Sequence, residues 1–238
     1  MSQCKNCSSS FESRYCPNCG APAVVKRIDR HYVMHEVQHG IMHLEKGFLF
    51  TAKQLILRPG HSIREFIEGG RTKYYKPIGF VIISSIIYTA LGHYFDNSTV
   101  YPKPEGNINK VILWITTHYS YSNLIEILFI SFTLKLLFWK AQYNYFEYIV
   151  LNCYLTGQAM LIGCIFMLAA FFTKLPVIHT VFPVLVIFYM IWAIGQFFNY
   201  KNGLTFLKAL VAYVLGFFLF YLIAVLFATV LTMLNISL

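Results

Sequence analysis

The sequence predicts an all-α polytopic membrane protein of about five transmembrane helices, preceded by a small N-terminal zinc ribbon and amphipathic interfacial helices. Three observations predict it. Hydrophobic residues make up 57% of the chain and charged residues only 12%, about half the usual charged share. Uninterrupted apolar runs recur after residue 76, close to the roughly 20 residues a helix needs to cross the hydrocarbon core. Two Cys-x-x-Cys pairs stand within the first nineteen residues.

Residues 1–22 form the cysteine module. Cys4-x-x-Cys7 and Cys16-x-x-Cys19 are separated by eight residues. Each pair can form a turn presenting two thiolates, and two pairs complete a tetrahedral four-sulfur shell, which suits zinc. Pro17 and Gly20 in CPNCG fit such a turn. With all four positions taken by sulfur, the expected zinc is structural. Cys153 and Cys164 fall inside a span and read as packing residues.

Residues 23–76 read as a basic connector with amphipathic helices. Val33, Val37, Ile41, Leu44, Phe48, Leu55 and Ile56 recur at spacings near three and four over residues 31–58, the period of one helical face. Pro59-Gly60 is expected to end that helix, and Ser62 with Glu65 to open the next as a capping box. Two placements stand side by side. The helices lie in the bilayer interface with Arg58, Arg64, Arg71 and Lys73 toward headgroups, or they pack on the protein's own bundle.

Residues 77–238 hold the spans, expected at 77–95, 122–139, 147–172, 177–199 and 205–234. Residues 108–118 are too short to cross and read as an interfacial or re-entrant helix. Glu126 and Lys135, near the two ends of the second span, are expected to snorkel. Asn152, Gln158 and His179 are expected to line an interior, where amides commonly bond neighbouring helices; Gln196 and Asn199 complete the polar set.

Charge sets the expected orientation. Residues 1–76 carry twelve of the nineteen Lys and Arg against six of the ten acids. A basic segment beside the first span is the positive-inside pattern. It predicts an inner (cytoplasmic) membrane protein with a cytoplasmic N-terminus, a periplasmic C-terminus, and contact with the bilayer and its anionic headgroups. No basic run interleaved with aromatics marks a nucleic-acid site. The first 25 residues have no apolar core of a cleavable signal, so the first span is expected to act as its own anchor.

Residues 35–39 read His-Glu-Val-Gln-His. On a helix His35 and His39 share a face and could bind one zinc, with Glu36 as general base on a metal-bound water. His43 extends the spacing and completes a candidate second site. A catalytic zincin also needs a third protein ligand and an open coordination position. The plainer reading is an amphipathic helix whose histidines meet headgroups or carboxylates.

Residues 47–80, GFLFTAKQLILRPGHSIREFIEGGRTKYYKPIGF, together with CKNC and CPNCG, resemble a family of bacterial inner-membrane proteins whose domain has no known function. The matching positions are Cys4, Cys7, Cys16, Cys19, Gly47, Phe48, Arg58, Pro59, Gly60, Arg64, Glu65, Lys76 and Pro77. The resemblance covers about residues 1–90 and implies a bacterial inner-membrane location, without a reaction or a substrate. Three functions follow as expectations. The first is a non-enzymatic scaffold whose cytoplasmic zinc ribbon docks a protein partner. The second is a membrane-embedded zinc hydrolase using residues 35–39. The third is a transporter of small solutes or lipids.

Overall fold

The computed structural model describes residues 2–4, 6, 7, 9–39, 47–95, 106–175, 177–198 and 203–234. Two short strands, β1 (Ser2–Gln3) and β2 (Ser10–Phe11), open the chain and pair antiparallel, Ser2 opposite Phe11 and Gln3 opposite Ser10. Helices follow: α1 (Arg30–His39), α2 (Gly47–Leu57), α3 (Pro59–Ile67), α4 (Pro77–Phe95), α5 (Gly106–Thr117), α6 (Tyr119–Leu137), α7 (Tyr145–Thr173), α8 (Val177–Phe197) and α9 (Gly203–Met233). Helices α4, α7, α8 and α9 are each long and apolar enough to cross a membrane. Helices α5 and α6 meet that standard only as a pair, bent by 97°. The chain is therefore a helical membrane protein, with four candidate spans among the described residues, or five if the bent pair counts as one.

Helix starts follow local chemistry. Helix α7 opens on a complete capping box. The Glu147 amide donates to Asn144 Oδ1 at 2.9 Å and the Asn144 amide to Glu147 Oε2 at 2.7 Å, satisfying two amides that a helix start leaves bare. Its far end closes on Lys174 in the left-handed conformation, φ 53. Pro77 opens α4 and Pro59 opens α3, a position where the missing proline amide has no helical partner to lose.

That start corrects two expectations. Helix α2 does end just before Pro59, at Leu57, but the next helix opens on Pro59 rather than Ser62, and Ser62 with Glu65 is not a capping box. The Ser62 hydroxyl donates to the Arg58 carbonyl at 2.9 Å, while Glu65 accepts from Lys73 and Tyr74 at 2.8 and 2.7 Å. The expected single helix over 31–58 is helical at 30–39 and at 47–57; residues 40–46 lie outside the described residues.

Small residues set the helix contacts. A Cβ on Gly157 of α7 would stand 2.8 Å from the Phe80 ring of α4, and one on Gly216 of α9 would stand 2.7 Å from Ile130 Cα of α6. Close backbone approach at small residues drives helix association where lipid offers no hydrophobic gain. The bond from Thr133 Oγ1 to the Ala212 carbonyl, 2.7 Å, ties α6 to α9. Asn152 donates to Ser131 across α7 and α6 at 2.9 Å. One apolar cluster then joins Ile28 of the connector, Leu55 of α2, and Ile63 and Phe66 of α3 to the spans.

Candidate metal centre

The cysteine module is built by two turns. The Cys4 amide donates to the Ser9 carbonyl at 2.9 Å, the Cys16 amide to the Ala21 carbonyl at 2.8 Å, and the Gly20 amide to the Cys16 carbonyl at 2.8 Å. Gly20 has φ +71, a conformation that favours glycine. Cys4, Phe11, Cys16 and Ala21 make a small core of their own.

These turns bring four free thiols together. Cys4 and Cys19 sulfurs lie 3.5 Å apart, as do those of Cys7 and Cys16, and all four lie within 4.8 Å of one another. A tetrahedron with metal–sulfur bonds of about 2.3 Å has edges of roughly 3.8 Å, so the cluster is close to the shape a metal requires. Bonds with the Ser9 hydroxyl and amide hold the Cys7 thiol down to about 6, which favours the thiolate that binds metal. Four cysteines so placed could bind a metal ion. Among the described residues no other group of three or more His, Cys, Asp or Glu side chains comes this close together.

The module is tethered to the bundle through the connector. Arg27 donates to both oxygens of Glu147, from Nε at 2.9 Å and from Nη2 at 3.0 Å, and also to the Gln142 carbonyl. Asn144 Nδ2 donates to the Ile28 carbonyl at 2.7 Å, and Arg71 Nη2 to the Lys26 carbonyl at 2.7 Å. The cap of α7 is thus also the anchor of residues 26–28. Asn-x-x-Glu at 144–147 announces that cap in the sequence; nothing there announces Arg27 as its partner.

Glu36 has another occupation than the expected general base. It is 3% exposed, and its Oε1 accepts the Ile78 amide at 2.9 Å, in the first turn of α4. Burial pushes its carboxyl up to about 7, against the Ile78 bond and the Lys76 charge, which pull it down. A base that works on a metal-bound water must face that water; this carboxylate faces the start of a span. His35 is exposed and its ring stacks on His31 at 6.4 Å. The His39 side chain, His43 and Glu45 lie outside the described residues.

Two of the four cations expected at headgroups, Arg64 and Arg71, are half-buried against the protein. Arg64 Nη2 donates to the Gln196 carbonyl at 2.8 Å and its Nε to the Phe197 carbonyl at 3.1 Å, the bare carbonyls at the C-terminus of α8. The Gly60 amide donates to Gln196 Oε1 at 2.8 Å, and a Cβ on Gly60 would fall onto the backbone of residues 196 and 197. Arg71 lies over the Tyr32 ring and Lys73 pairs with Glu65 at 2.8 Å. Arg58 and Lys73 stay exposed, Arg58 bonded to Gln54.

One expectation holds and one changes. Lys135 reaches past the end of α6, where its ammonium donates to the Tyr143 carbonyl of the following loop at 2.6 Å. Glu126 is 9% exposed and faces a small cavity between spans. The His179 side chain and Asn199 lie outside the described residues.

Fold and site together define a polytopic helical membrane protein with an N-terminal four-thiol cluster able to hold a metal. Residues 45–89 match the model of a family described as a protein of unknown function (DUF3667), so the matched segment is α2, α3, the turn after them and the first part of α4. No curated protein and no solved structure matches the chain.

Proposed function

We propose that this is an integral inner-membrane scaffold of bacterial type whose cysteine module holds one structural zinc ion on the cytoplasmic side and docks a protein partner there. The observation that carries the reading is the closed set of four sulfurs within 4.8 Å. Sulfur in all four positions suits zinc and leaves no place for water or substrate. Exposed Tyr15 and Val24 flank the cluster as apolar contact points. The twelve cations before residue 77 favour a cytoplasmic N-terminus. On α2, exposed Leu49, Phe50, Ile56 and Leu57 stand beside Lys53 and Arg58, a pairing that suits the interface of an anionic bilayer.

The hydrolase reading has less support, since Glu36 is buried against the start of α4. Metal content separates the two. The scaffold reading expects one zinc per chain, lost in Cys4→Ser and Cys19→Ser and kept in His35→Ala and His39→Ala. A second zinc that disappears in the histidine variants would overturn it. Docking is tested by cross-linking the full chain in cells. A cytoplasmic neighbour captured by wild type and equally by the zinc-free cysteine variants would sink the docking role.

A further inference from the structure

Helices α6, α7, α8 and α9 enclose a cavity of about 30 Å³ whose polar lining is Asn123, Glu126, Thr156 and Tyr213, with Met160 and Met190 among its apolar walls. The lining residues sit in the middle turns of α6, α7 and α8 and the first half of α9. Glu126 is more than nine-tenths buried and lines this space, and its carboxylate makes no hydrogen bond or ion pair with any described residue. The lysine on its own helix, Lys135, is held by the Tyr143 carbonyl. An ionised carboxylate in an apolar interior is costly unless a positive charge accompanies it.

We propose that this cavity binds one small monovalent cation, held by the Glu126 carboxylate with oxygens of Asn123, Thr156 and Tyr213 completing its shell. Charge decides the valence. The lining carries one carboxylate and no fixed cation, so one positive charge neutralises it and a divalent ion leaves an excess. Size decides the class. A space of this volume holds a body about as large as one water molecule, which excludes organic solutes and lipids. Donor chemistry agrees, because carboxylate, amide and hydroxyl oxygens suit hard cations.

A proton on Glu126 would meet the same charge, so proton and cation compete. Binding releases a proton to water, and acid weakens binding. The titratable groups facing Glu126 are tyrosines of α9: Tyr213 in the lining and Tyr221, which feels its charge. Helices α7 and α8 contribute no titratable group to the lining.

The test is thermal unfolding of the full chain in detergent, in sodium, potassium or choline chloride at equal ionic strength and mildly alkaline pH. We expect sodium or potassium to raise the wild-type midpoint above that in choline by at least about 4 °C when the ion is in large excess over its dissociation constant. The shift should vanish in E126Q and shrink in T156V, which keeps the charge and keeps the test decisive if E126Q does not fold. Three results would overturn the site: equal wild-type midpoints in all three salts, a shift that survives E126Q undiminished, or a T156V shift equal to that of wild type. Stabilisation by acid alone would assign the carboxyl to a bound proton and would also overturn it.

Discussion

Glu36 accepts the backbone amide of Ile78 at 2.9 Å, forty-two residues along the chain, so α1 supplies the N-terminal cap of the first span. The carboxyl of Glu36 is raised from 4.5 to about 7 by burial. Between those values the folded state holds a proton that the unfolded state has lost, so stability falls as pH rises from about 4.5 to about 7. The full effect is on the order of 3 kcal/mol. Unfolding midpoints in detergent should decline across that window in wild type and stay level in Glu36→Gln, whose amide oxygen still accepts from Ile78. Glu36→Ala leaves that amide without a partner and should cost about 1–3 kcal/mol.

Glu147 serves Asn144 and Arg27 at once. Asn144→Ala should cost about 1 kcal/mol through the cap. Glu147→Ala should cost more, about 2–4 kcal/mol, because it removes both the acceptor of the Asn144 amide and the carboxylate that Arg27 grips. Arg27 is largely exposed, so Arg27→Ala should cost only about 1 kcal/mol. Chaotrope unfolding of the three variants should give that order. Limited proteolysis should cut the connector first in Glu147→Ala and Arg27→Ala.

Gly60→Ala should be among the most damaging small substitutions. Its methyl would fall onto the α8 backbone, and overpacking against backbone costs about 1–3 kcal/mol or more. Arg64→Lys keeps the charge but cannot fork across the two carbonyls of residues 196 and 197, and should lose about 1–2 kcal/mol. Yield of monodisperse protein and its melting midpoint report both.

The cysteine module has its own core and reaches the bundle through residues 25–28. Chelation should therefore remove the metal and unfold residues 2–22 while the helical melt of the spans moves by less than about 2 °C. Amide exchange resolved by segment would show the loss confined to the module. A bundle that melts with it would mean that the metal stabilises the spans as well.

Much of this architecture is written locally. Span lengths follow from hydropathy, and α7, α8 and α9 lie within two residues of the expected limits. The thiol cluster follows from cysteine spacing. What local patterns cannot carry is the partner of each polar group. His-Glu-Val-Gln-His reads as a metal site or as part of an amphipathic helix until Ile78 is seen beside Glu36. Arg64 reads as a headgroup cation until the end of α8 arrives to accept it. Glu126 reads as snorkelling until four helices close around it. Each misreading concerns a charged group whose surroundings are supplied from far along the chain.

The bond from Arg64 to Phe197 spans 133 residues, and that separation orders the protein's biogenesis. At common synthesis rates α3 leaves the ribosome roughly 7–27 s before the end of α8. Throughout that interval the apolar face of Ile63, Phe66 and Ile67 lacks α8, with Tyr154 of α7, 5.4 Å from the Phe66 ring, arriving earlier. The segment that carries the family match is therefore made early and finished late. A chain stopped between α7 and α8 should leave it open to protease and to chaperones that hold apolar helices.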